Sequence, residues 1–246
     1  MINEVKILNE YLGDGIDFLY NKDKDLLEKV VANIYKIEPF EHPDMILSLG
    51  EKIMAIEHFE FDASTSNKKG SLDKRKLADR NREFDKLVND SNISAKPVVA
   101  SSSIDCNYSA EDYIENFISV FGKHLAKVAD YKNYLIEENK AEKIDDIIIC
   151  FFIVDTTPLG CYYMENGPKS LIACQVKECL DLISKASEVD CFLFGYFDGR
   201  KNSLEFISNQ PEVVNIIKEV KMIDFKVEEF FTFNPKETRY CMQIGE

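Results

Sequence analysis

The stretch HPDMILSLGEKIMAIEHFEFDAS, residues 42–64, carries the reading on which the fold depends. Two apolar arms flank Gly50-Glu51, and glycine's tolerance of positive φ favours a two-residue hairpin loop at that point. Leu49 then faces Lys52, Ser48 faces Ile53, Leu47 faces Met54, Ile46 faces Ala55 and Met45 faces Ile56. One rung further, Asp44 faces Glu57.

Directly opposed side chains on neighbouring strands have Cβ atoms about 4.5–5.5 Å apart, and like charges there repel. Solvent at the end of the ladder, a raised pKa on one acid, or a bound cation would each relieve the repulsion. A three-residue loop would instead set Asp44 against His58, so the register is an expectation for the structure to decide. His58, Glu60 and Asp62 share the other face of the second arm and read as an exposed strand end rather than a second metal site.

Working outward, residues 24–37 place Leu27, Val30, Val31 and Ile34 on one stripe and predict a helix before the hairpin. After the hairpin, the polar run STSNKKGS leads into KKGSLDKRKLADRNREFDK, residues 68–86, where basic residues outnumber acidic ones. Leu77, Phe84, Leu87 and Val88 recur near a helical period there, which predicts a solvated basic helix. SNISAKPVVASSS, residues 91–103, reads as loop, so a basic helical insertion occupies about 64–108.

Ser109 and Asp112 have the spacing of a capping box, and Ile114, Phe117, Ile118, Phe121, Leu125 and Val128 predict a long helix over 109–138. IIICFFIV, residues 147–154, is apolar at every position and predicts the central strand of a sheet covered on both faces. A helix over 173–187, a strand CFLFGYF turning at Asp198-Gly199 into a partner near LEFIS, a helix from Pro211 and closing strands near 227–233 and 237–244 follow. The helix from Pro211 would turn Val213, Val214, Ile217 and Val220 inward. The fold class is α/β (α+β), a mixed central sheet flanked by helices, in one domain over 1–246.

Composition narrows the function. Formal net charge is -14, which repels phosphate backbones at long range and leaves any nucleic-acid contact to the basic insertion. No apolar run approaches the roughly 18–20 residues of a bilayer span, and the N-terminus lacks a secretory pattern, so a soluble cytoplasmic protein with no membrane partner is expected. The seven cysteines are irregularly spaced and read as buried thiols, Cys174 and Cys179 included. Phosphate-cradling glycine motifs and G-x-S-x-G do not occur, and Cys161 has no recognisable histidine partner. Of the three histidines, His42 could project on the face of Phe59, His58 lies in the hairpin, and His124 reads as a partly exposed helix residue. TTPLGCYYMENGP, residues 156–168, suits a tyrosine-covered hairpin or a cleft loop.

Pro43-Asp44, the hairpin, and the apolar approach Met54-Ala55-Ile56 to Glu57 together resemble the signature of the PD-(D/E)XK nuclease-like superfamily. The helix before the hairpin, the helix after it and the strand at 147–154 resemble the αβββαβ core of that restriction-endonuclease-like fold. The resemblance implies a divalent-metal-dependent nuclease acting on a phosphodiester of DNA or RNA. Asp44, Glu57 and the carbonyl of His58 would then hold Mg2+ or Mn2+, and a lysine two positions beyond Glu57 would assist the attacking water. That position is Phe59, which has no donor. Lys68, Lys69, Lys74 and Lys76 are the candidates to supply the catalytic lysine, because the basic segment follows the strand, whereas Lys52 is at the far end of the hairpin. The competing reading is a non-catalytic acidic α/β protein that binds a basic protein partner, which accounts for both the charge and Phe59.

Overall fold

A computed structural model describes residues 4–12, 16–18, 24–64, 66–67, 70–71, 75–76, 78–79, 82–83, 86, 98–103, 109–157, 161–164, 167–170, 172–197, 201–212, 214–215, 230–231 and 236–241. The chain begins with helix α1 (Glu4–Leu12), strand β1 (Asp17–Phe18) and helix α2 (Lys24–Asn33). Strands β2 (Glu38–Pro39), β3 (Met45–Leu49) and β4 (Lys52–Phe61) then form an antiparallel meander. Helices α3 (Ala110–Leu125) and α4 (Val128–Glu137) lead to β8 (Ile147–Asp155), α5 (Lys177–Ile183), β11 (Cys191–Phe197) and β12 (Asn202–Ser208).

These strands make a seven-stranded mixed sheet in the order β1-β12-β11-β8-β4-β3-β2. β8 lies in its middle and runs parallel to both β4 and β11, while β11 and β12 pair as an antiparallel hairpin. The fold is therefore α/β, with β8 buried at every position from Ile147 to Val154. A strand covered on both faces has no use for a polar alternation, which is why the run is apolar throughout.

Strand periodicity divides the core in two. Ile149, Phe151 and Ile153 of β8 and Ala55, Phe59 and Phe61 of β4 meet Phe117, Phe121 and Leu135 of α3 and α4, with Leu180 and Ile183 of α5. Cys150, Phe152 and Val154, with Met54 and Ile56, meet Leu8 of α1 and Val30 of α2 on the opposite face. Cys150, Cys174, Cys179 and Cys191 are buried free thiols, as their apolar neighbours require.

Helix α3 begins where the capping pair placed it: the Ser109 hydroxyl oxygen accepts from the Asp112 amide at 2.9 Å, and the hydroxyl donates to Asp112 Oδ2 at 2.8 Å. The predicted single helix over 109–138 is instead two, joined by a tighter turn in which Lys127 N–H donates to the His124 carbonyl. Ile118 is 41% exposed, so the buried stripe runs through Tyr113, Phe117, Phe121, Val128, Tyr131 and Leu135. Val31, assigned to the inward stripe of the first predicted helix, is 44% exposed, because the following residue on a helix is rotated about 100° from Val30.

At the upper ends of β4 and β8 a polar knot fastens the sheet to α3. Asp155 Oδ2 accepts from the Tyr113 hydroxyl at 2.8 Å and Oδ1 accepts from Thr157 N–H, while the Asn116 amide donates to the carbonyls of Asp62 and Ser64. Burial, the dominant influence, pushes the Asp155 carboxyl up to about 6 against these favourable bonds.

Smaller ladders lie outside the main sheet, and one of them corrects a loop assignment. Within STSNKKGS, β5 (Ser66–Asn67) pairs antiparallel with β6 (Gly70–Ser71). Within the expected loop 91–103, β7 (Val98–Ser103) pairs antiparallel with the closing strand 236–241. A local reading of polar residues cannot see a partner that lies more than a hundred positions away. Between them, residues 75–76, 78–79, 82–83 and 86 are helical, in keeping with the basic helix, while Leu77, Phe84, Leu87 and Val88 lie outside the described residues.

β9 (Cys161–Met164) and β10 (Gly167–Ser170) form a hairpin, and β13 (Phe230–Phe231) adds to β9. The last strand is β14 (Lys236–Cys241). Val214 is buried, whereas Val213, Ile217, Val220 and the Asp198-Gly199 turn lie outside the described residues. No helix among the described residues is long and apolar enough to cross a membrane.

Candidate functional site

The hairpin has the predicted register from Leu49↔Lys52 to Met45↔Ile56, and Gly50 adopts φ +79 in the two-residue turn. The three-residue alternative is thereby excluded. Asp44 immediately precedes β3, so its rung is that of Glu57, where the regular ladder has ended. In place of a strand partner, Asp44 Oδ2 accepts the His58 amide hydrogen at 2.8 Å.

Two acids at one rung need relief, and the structure supplies it from two sides. The Asp44 carboxyl is pushed up to about 6, chiefly by burial and next by the charge of Glu57, with the His58 amide opposing both. Glu57, 6% exposed, is gripped from the helices: Oε1 accepts the Tyr131 hydroxyl at 2.6 Å and lies 2.7 Å from His124 Nδ1. A carboxylate only accepts, so His124 Nδ1 carries the hydrogen in that contact. Burial and the bond to Glu57 raise the Tyr131 hydroxyl far above the usual tyrosine range, keeping it a donor.

His124 is held in turn by Phe59, whose ring stacks on the imidazole at 4.4 Å and 14°. Phe59 also meets Phe121 and Phe151 edge-on. The position at which the nuclease-like pattern expects lysine is thus part of the hydrophobic core and forms the seat of a histidine.

These groups line a cavity of about 740 Å³ between the open end of the hairpin and helices α3 and α4. Among the described residues, its wall carries the carboxylates of Glu41, Asp44, Glu57, Asp130 and Glu137, against a single lysine, Lys127. All three histidines of the chain line it. A second cavity of about 770 Å³ lies at the turn end, beside Leu49, Gly50 and Asp190, away from the carboxylate pair.

Asp44 and Glu57 are therefore brought together as the pairing predicted. His58 contributes main chain rather than side chain: its ring packs on Phe152 at 5.0 Å, on the opposite face of the sheet from Glu57, and burial lowers its pKa. The second cluster does not form, since Glu60 is exposed while Asp62 is buried and accepts from the amide and hydroxyl of Ser64. His42 packs edge-on against Tyr134. Lys68, Lys69 and Lys74 lie outside the described residues, and Lys76 is described only as part of the basic helix.

The site residues that sequence reasoning missed are His124 and Tyr131. Their spacing of seven puts both on the buried stripe of Phe117, Phe121, Val128 and Leu135, so two polar groups within an apolar helix face were the available signal. Among the described residues, no group of three or more His, Cys, Asp or Glu side chains is arranged to hold a metal ion. No family model, curated protein or solved structure matches the chain.

Proposed function

We propose that the chain is a nuclease-like protein of the PD-(D/E)XK kind, which binds Mg2+ or Mn2+ between Asp44 and Glu57 and acts on a phosphodiester. The observation that carries this reading is the carboxylate pair itself: one oxygen of each acid is committed to a protein donor, and Asp44 Oδ1 and Glu57 Oε2 have no hydrogen-bond partner among the described residues. The elements of the main sheet support it: with the insertion that carries β5, β6 and β7 set aside, α2, the meander β2-β3-β4, helices α3 and α4, and β8 parallel to β4 follow an αβββαβ order.

The donor set fits the cation. On a strand, the N–H and C=O of one residue point to the same side, so the His58 carbonyl shares the edge on which its N–H meets Asp44. Two carboxylate oxygens and a carbonyl are hard donors, and Mg2+ commonly takes one or two carboxylates and keeps several waters. A bound divalent cation would supply a water of lowered pKa and offset charge developing on phosphoryl oxygens. Asp44 and Glu57 would orient it, and Lys127 is a basic side chain lining the cavity.

Calorimetric titration with MgCl2 and MnCl2, alongside incubation with DNA and RNA, tests the reading. Binding and cleavage lost together in Asp44→Ala and Glu57→Ala support it, and an absence of binding to the native sequence refutes it.

Phe59 and the acidic wall favour a second reading, a non-catalytic domain that binds a basic protein segment. Cation binding without cleavage, together with salt-sensitive retention of a lysine- and arginine-rich peptide that Glu41→Gln and Glu137→Gln abolish, would select it.

A further inference from the structure

We infer that Tyr131 and His124 are positioning residues that set which divalent cation the carboxylate pair accepts, by holding Glu57 as a one-oxygen ligand. This rests on the cation site proposed above. Glu57 Oε1 receives two donors, the Tyr131 hydroxyl at 2.6 Å and His124 Nδ1 at 2.7 Å, and both come from helices packed on the sheet. The side chain is nine-tenths buried, so turning both oxygens toward the cavity would break its bonds to both donors.

His124 cannot follow such a rotation either. Its imidazole lies flat on Phe59, which is wedged against Phe121 and Phe151. Asp44 is fixed in the same manner, with Oδ2 engaged by the His58 amide. The pair accordingly offers two single oxygens rather than two chelating carboxylates.

Cations differ in what they ask of such a pair. Mg2+ takes octahedral oxygens at about 2.1 Å and keeps water in the remaining positions, whereas Ca2+ gathers roughly six to eight oxygens at longer distances and often takes a carboxylate through both. A pair clamped to one oxygen each therefore favours the smaller ion. Outer partners of this kind orient ligands and set metal affinity without touching the metal. Phenylalanine at position 59 acquires a role in this arrangement as the seat that keeps the clamp rigid.

The test compares Mg2+ and Ca2+ affinities by calorimetry in the native chain, Tyr131→Phe, His124→Leu and His124→Asn, each checked for folding by circular dichroism. The native chain is expected to prefer Mg2+. Tyr131→Phe and His124→Leu are each expected to lower Mg2+ affinity about tenfold, the size usual for loss of an outer partner, and to leave Ca2+ affinity unchanged or raised. His124→Asn, whose amide nitrogen can replace Nδ1 as donor, is expected to restore the native ratio. If one of the two clamp variants does not fold, the other still decides. An unchanged Mg2+-to-Ca2+ ratio in a folded clamp variant overturns the positioning role and leaves the cation site standing. An absence of binding by either ion to the native chain overturns both.

Discussion

The Tyr131 hydroxyl donates to Glu57 Oε1 across 2.6 Å, joining residues 74 positions apart. Tyr131 is 3% exposed and Glu57 6%, so each group has given up nearly all of its contact with water and the bond replaces it. Its removal leaves a buried carboxylate with one donor fewer. Tyr131→Phe keeps the ring and deletes only the donor, and should cost about 1.5–3 kcal/mol, the range for a hydrogen bond to a charged group. Urea denaturation, with an unchanged dependence on denaturant, measures it.

That contact also marks where the sequence stops speaking. The hairpin was legible because Gly50 fixes the turn and the turn fixes every rung, so Asp44 and Glu57 could be placed side by side from residue types alone. The central strand was legible because burial on both faces removes all polar positions from Ile147 to Val154. Neither signal is local for His124. Its exposure depends on Glu57 standing opposite in the sheet, 67 residues away, and a helix face read by itself gives a histidine no such partner. The β7–β14 pairing was lost for the same reason, since strand partners are set by the whole topology.

Asp155 gives a prediction in pH. Its carboxyl is raised from the ordinary value near 3.8 to about 6, first of all by burial. A raised carboxyl binds its proton more tightly in the folded chain than in the unfolded one, so its contribution to stability is complete below about 4 and is lost as pH rises through about 6. Asp155→Asn removes the titration. The fall in melting temperature between pH 4.5 and pH 7 that is due to this group should therefore disappear in the variant, and thermal scans across that interval decide it.

Ser109 gives a prediction confined to one helix end. Its oxygen satisfies the Asp112 amide and its hydroxyl returns a hydrogen to the Asp112 carboxylate, so both halves of the cap depend on one side chain. Ser109→Ala should cost about 1 kcal/mol, whereas Ser109→Asp, which keeps an acceptor but adds charge beside Asp112, should recover part of it. Chemical denaturation of the two variants in parallel separates the cap from any effect of side-chain volume.

Phe59 tests whether the missing lysine could be put back. Its ring is 5% exposed and contacts Phe121, Phe151 and the His124 imidazole, so Phe59→Ala should cost about 3–5 kcal/mol through the cavity it leaves. Phe59→Lys loses the same packing and asks an ammonium to sit where aromatic rings surround it, with Glu57 Oε1 already committed to His124 and Tyr131. It should therefore be at least as destabilised as Phe59→Ala in denaturant. A Phe59→Lys variant as stable as the native chain would show that position 59 opens to the cavity, and that the stacked phenylalanine and histidine do not form the rigid seat described above.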